Sequence, residues 1–198
     1  MSQVVFGIDY GSKLTGNTVI SVFNDGDVFF LDMSQGVDAD SFILNAAEHF
    51  MPSKIFIDAP LSLPGVYRNL PGFNNYHFRK ADLELNAMSP MFLGGLAARA
   101  IELKSRLKSL GLKVFETYPI VMANQLKLRD CDYKGSLQNL SSCAQEVINI
   151  LPASIKIDKA DIKTWHHLDA LLALISAINS LFKKPKTYGH REEGLIYI

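Results

Sequence analysis

Four apolar runs in this chain each carry one acidic residue, in positions that restrict how the chain can fold. Asp9 closes the run Val4 to Ile8, Asp58 closes Ile55 to Ile57, and Glu116 closes Leu112 to Phe115, while Asp169 sits among Leu168, Ala170, Leu171 and Leu172. The first three runs read as strands, short and rich in β-branched and aromatic residues, and the fourth as a helix. Carboxylates in apolar surroundings are costly unless something compensates them. Three strand-end acids and one helical acid converge if the strands are neighbours and the helix crosses the sheet's edge. A divalent metal ion is then the expected compensator.

The remaining runs supply an order of elements. Segments 18–23 and 28–33 continue the strand texture of the first run, separated from it and from each other by Gly11, Gly16 and the turn Asn24-Asp25-Gly26-Asp27. They predict an antiparallel three-stranded meander. Asp40 or Ser41 caps a helix reaching Phe50, and Pro52 stops it before the strand that ends at Asp58. That crossover makes the fourth strand parallel to the first. Prolines and glycines from Pro60 to Gly72 mark an irregular insertion at about 60–78, of a length that compact domains seldom carry without a functional reason. A helix over about 93–110 ends at Gly111. The strand closing at Glu116 follows, then a helical region over 136–151, the helix holding Asp169, and a short apolar tail, 195–198, expected as an edge strand.

Length and charge narrow the class. With 198 residues, 48% of them apolar, the chain can bury a full core as a single domain, 1–198. Twenty basic and twenty acidic side chains cancel. The strong positive excess behind non-specific nucleic-acid binding is missing, so any such contact must be local. Cys131 and Cys143 lack the paired spacing of a structural zinc site and read as thiols, structural or incidental. With no secretory signal and no run long enough to span a bilayer, the expected location is a reducing cytoplasm with no membrane partner.

The element order is that of an RNase H-like α/β fold: a mixed sheet, antiparallel in its first three strands and parallel later, with helices on both faces. Its short motifs resemble a particular family. Asp9-Tyr10-Gly11, the stretch from Ile57 to Pro64, Arg79 with Asp82, Glu116 to Pro119, His167 to Leu171, and Glu193 to Ile196 together are similar to the signatures of a bacterial and archaeal family of predicted RNase H-like nucleases, long labelled a domain of unknown function. The Leu-Asp-Ala element also resembles the acid-bearing last helix of Holliday-junction resolvases. These resemblances imply a metal-dependent nuclease acting on DNA or RNA and leave room for a homodimer.

Phosphodiester hydrolysis can use two divalent ions roughly 3.5–4 Å apart, one helping to form hydroxide and the other stabilising the leaving oxygen. Hard oxygen donors suit Mg²⁺ or Mn²⁺. Matched to the fold's pattern, Asp9 is the expected bridging ligand, with Asp58, Glu116 and Asp169 as further ligands. His166 lies one helical turn before Asp169, placed to orient the attacking water or to contact the scissile phosphate, with a satisfied structural histidine as the blander reading, and His167 is its bland neighbour. Lys13, Arg68, Arg79 and Lys80 are candidate phosphate contacts, Arg79 and Lys80 within an aromatic and basic segment that begins at Tyr76. Blander readings stand beside these. Asp9 and Asp58 suit turns or caps, Asp169 suits the N-terminal dipole of a helix starting at Thr164, and Arg79 suits pairing with Asp82 at helical spacing. The turn from Asp9 to Gly16 also resembles the first phosphate loop of actin-like ATPases and sugar kinases, which would imply nucleotide binding. A scaffold that keeps the fold without catalysis, or a hydrolase of small phosphoesters, is the remaining alternative.

Overall fold

A computed structural model describes residues 3–198. Strands β1 (Val4–Asp9), β2 (Val19–Asn24) and β3 (Asp27–Asp32) form the antiparallel meander. The β2–β3 turn is tight because Asp25 and Gly26 both take positive φ, 48° and 103°, matching the right-handed strand twist. Helix α1 (Ala39–Phe50) follows. Its cap is Asp38, two residues before Asp40 and three before Ser41, the expected caps, and its carboxylate accepts from the N–H groups of both, each at 2.9 Å. Strand β4 (Lys54–Asp58) then runs parallel to β1, with Asp9 directly opposite Asp58.

The insertion after β4 contains one 3₁₀ turn, Gly65–Arg68, and leads into the short helices α2 (Lys80–Leu85) and α3 (Pro90–Leu93). Helix α4 (Gly95–Ser109) ends as expected before Gly111, which has φ 81°. Strand β5 (Val114–Glu116) pairs parallel with β4, followed by α5 (Pro119–Gln125), α6 (Leu140–Asn149) and the long helix α7 (Trp165–Phe182). A closing hairpin, β6 (Thr187–His190) and β7 (Gly194–Tyr197), completes a seven-stranded sheet of order β3-β2-β1-β4-β5-β7-β6. This mixed sheet, with helices on both faces, is an RNase H-like fold. The apolar tail is not the edge strand its position suggested. It inserts between β5 and β6, and β6, whose Thr-Tyr-Gly-His sequence lacks apolar alternation, takes the edge.

Side chains alternate across the sheet and feed two cores. Phe6, Ile8, Ile55 and Ile57 pack with α1 and α4; Val5 and Phe56 pack with α5, α6 and α7. Gly7 shares the second face. A Cβ there would stand 2.1 Å from the Leu174 nitrogen and 2.4 Å from the Ala170 oxygen. Backbone therefore meets backbone, and α7 lies across the middle of the sheet rather than over its edge, as the sequence had suggested.

Cys131 and Cys143 also depart from expectation. Their Cα atoms are 5.4 Å apart and the two sulfurs are joined as a disulfide, so neither is a free thiol. Among the described residues, no helix is long and apolar enough to cross a membrane.

Candidate functional site

Period-two alternation places Asp9 on the face of Gly7 and Asp58 on the face of Phe56. Both carboxylates thus leave the C-terminal ends of adjacent parallel strands on the side covered by α7. The close approach at Gly7 brings the first turns of that helix down onto them. His166 Nδ1 lies 2.7 Å from Asp9 Oδ2, while Asp169, 2% exposed, receives the Tyr133 hydroxyl and the Lys134 ammonium, the latter at 2.5 Å. Helix α7 does begin beside Thr164, its N-cap, but Asp169 is its fifth residue, past the first turn where the dipole acts, so the dipole does not account for it.

The electrostatics record this crowding. Burial, then the charges of Asp9 and Asp169, push the Asp58 carboxyl well above the usual carboxylate range. Burial also raises Asp169 against the opposing pull of Lys134. The hydrogen bond that its Nδ1–H donates to Asp9 raises the His166 imidazole, favouring its charged form.

Glu116 is employed differently. In register it stands opposite Ile57, on the α1 and α4 face, and Thr117 rather than Glu116 follows on the face of Asp58. Its two oxygens accept from Arg79 at 2.6 and 2.7 Å, and one also accepts from the Leu61 N–H at 2.8 Å. Arg79, 1% exposed, is bound on its other side by Asp82 at 2.7 Å. The blander reading of Arg79, a partner for Asp82 at helical spacing, is the one the structure bears. A guanidinium enclosed by two carboxylates is not offered to a phosphate. Glu193, 2% exposed, extends this framework, accepting from the Gly65 and Lys80 N–H groups at 2.7 Å each and so tying the insertion to the closing hairpin.

The other proposed contacts scatter. Lys13 pairs with Asp38 at 3.1 Å, Arg68 donates to the carbonyls of Glu192 and Glu193, and Lys80 approaches Glu84 at 3.8 Å. His167 is buried, with Nδ1 at 2.8 Å from Thr164 Oγ1 and Nε2 at 2.9 Å from Asp32, a structural role as anticipated. In the turn that resembles a phosphate loop, the Gly11 N–H is spent on Thr18 Oγ1 and the Lys13 carbonyl on the Ala39 N–H. Sequence reasoning missed Tyr133 and Lys134. They lie in an irregular stretch after α5, with no apolar period to tie them to Asp169 on α7, 36 residues on from Tyr133. A cavity of about 420 Å³ opens beside the acids, lined in part by Tyr10, Asp58, Arg79, Glu116, Tyr118 and Lys134.

Asp9, Asp58 and Asp169 are hard oxygen donors in a crowded, half-buried setting, and a cation already stands among them in the form of the Lys134 ammonium. The donor chemistry fits a divalent ion. As placed, however, among the described residues no three His, Cys, Asp or Glu side chains form a group able to hold one ion; Asp169 is directed to Tyr133 and Lys134, and Glu116 to Arg79.

No protein-family model matches the sequence, the family resembled by its motifs included, and no curated protein matches it. Solved structures similar to the chain include Thermus thermophilus RuvC in complex with Holliday junction substrate, at 16% identity and a TM-score of 0.43, covering 90% of this chain and 95% of that one. Another is Thermus thermophilus RuvC, at 14% identity and a TM-score of 0.42, covering 92% and 98%.

Proposed function

We propose that this chain is a metal-dependent nuclease or a closely related phosphodiesterase, with Asp9, Asp58 and Asp169 as metal ligands and His166 as the group that handles the proton of the attacking water. One observation carries the reading: two carboxylates in register on adjacent parallel strands face a helix that presents His166 and Asp169 one turn apart. Divalent ions bound there would supply hydroxide at neutral pH and offset charge on the leaving oxygen. The chain's own residues do the rest. Asp9 holds His166 through Nδ1, which fixes the ring and leaves Nε2, on a side chain 44% exposed, to take or give a proton. Asp58 and Asp169 concentrate carboxylate charge that a proton or a cation relieves. Glu116 serves as a positioning residue, holding Arg79 and the insertion so that the wall of the cavity keeps its shape.

Nucleic acid, DNA or RNA, is the substrate class. The cations proposed as phosphate contacts are individually engaged and the net charge is zero, which favours a few local contacts over a broad basic surface. The decisive experiment titrates Mn²⁺ calorimetrically into the wild type and into Asp9→Asn, then assays both against single-stranded, duplex and branched DNA and RNA. The expected outcome is binding by the wild type that is lost in the variant, together with Mn²⁺-dependent cleavage by the wild type alone. Cleavage unchanged in Asp9→Asn would overturn the assignment. Metal binding without any nucleic-acid cleavage would redirect it to a small phosphoester.

A further inference from the structure

The acid site contains a cation supplied by the chain itself. Lys134 Nζ stands 2.5 Å from Asp169 Oδ2, and the charges of Asp58 and Asp9 act on it as well. A lysine on an irregular segment would ordinarily extend into water to keep its rotamer freedom. This one is held where it is. The backbone at Lys134 is left-handed, φ 60°, as it is at Asp132, φ 56°, so the turn aims the side chain inward. Asn139 bonds Asp132 at 2.8 Å, the neighbouring Tyr133 hydroxyl reaches the same Asp169, and the Cys131–Cys143 disulfide staples the segment to α6 on either side. Even so, the Lys134 side chain is 50% exposed. Its ammonium can leave for solvent without any core contact breaking.

We propose that Lys134 is the resident counter-cation of the acid site and that a divalent ion binds by displacing its ammonium from Asp169. This rests on the reading of Asp9, Asp58 and Asp169 as metal ligands. It accounts for acids that, among the described residues, do not converge on one point, Asp169 being directed to Lys134 instead. Released from Lys134, the Asp169 carboxylate is free to turn toward Asp9 and Asp58. Lys134 thus sets the metal affinity of the site, acting as a positioning residue through Asp169.

The test is calorimetric titration of Mn²⁺ into wild type, Lys134→Met and Lys134→Arg, with thermal melts of each protein with and without the ion. Removing a competing charge within a few ångströms should raise Mn²⁺ affinity on the order of tenfold in Lys134→Met. Lys134→Arg, which keeps the charge, should stay near the wild type. The metal-free melting temperature of Lys134→Met should fall, because the carboxylates lose their neutralising partner, and its Mn²⁺-induced rise should exceed that of the wild type. Equal or weaker Mn²⁺ affinity in Lys134→Met, with the wild type binding, would overturn the counter-cation role and leave the metal reading intact. A lysine that only braced its loop would lower the melting temperature without tightening the metal, which also counts against the proposal. If no variant binds Mn²⁺, both the proposal and the metal reading fail.

Discussion

Asp58 and Glu116 close equivalent strands, yet the structure gives them opposite energetic roles, and substitution should separate them. Asp58 is held above its ordinary range, so the folded protein keeps a proton there that the unfolded chain has already released. Its penalty is absent at low pH and grows as pH rises from the ordinary carboxylate range through the folded-state value. Asp58→Asn should therefore raise the metal-free melting temperature at pH 8 by about 2–4 °C and little at pH 4, measured by thermal melts across that range. Glu116 has the reverse character. Glu116→Gln leaves Arg79 buried with one charged partner fewer and should cost about 3–5 kcal/mol in urea denaturation. A stable Glu116→Gln protein that had lost only Mn²⁺ binding would restore Glu116 to the ligand set. Apolar runs ending in an acid announced both residues. They could not announce which face each side chain takes, because that depends on the pairing of β4 with β5.

At the level of elements, two contacts decide how the site is assembled. Helix α7 reaches Asp9 only because residue 7 of β1 has no side chain, and any Cβ there meets helix backbone, which cannot rotate away. Gly7→Ala should cost about 3 kcal/mol or more and lower activity more than stability alone explains, since lifting the helix parts His166 from Asp9. Stability by urea titration beside cleavage by the folded fraction checks this. The other contact is the cap of α1. Asp38 lies at about 2, below its usual value, first through the Ser41 N–H and then through Lys13. A lowered carboxylate stabilises above its unfolded value and loses that contribution as pH falls toward the folded one. Asp38→Ala should thus cost about 1 kcal/mol at pH 7, and the difference from wild type should shrink between about pH 4 and 2. The sequence located α1 by its apolar period but put the cap two residues late, because Asp38, Asp40 and Ser41 are all competent caps and only the entry angle of the chain selects one.

For the whole molecule, net neutrality predicts a shallow salt response. If nucleic acid is the substrate, the slope of log affinity against log salt should be no steeper than about −3, equivalent to roughly three neutralised phosphates, as read by fluorescence anisotropy between 50 and 200 mM salt. A much steeper slope would mean a basic surface that the paired side chains do not provide. The meander, the crossover to β4, the acid-bearing helix and the RNase H-like order were all legible in the sequence, because strand and helix periods, turn residues and crossover handedness act over short stretches. The same local signals marked Asp9, Asp58, Asp169 and His166 as candidates. Only the tertiary structure decided that β7 enters the sheet between β5 and β6, that Glu116 and Arg79 bind each other, that the cysteines are bonded, and that Lys134 lies against Asp169. Each of these depends on register or on contacts between distant segments, where the energy belongs to a pair of residues and neither member carries a sign of its partner.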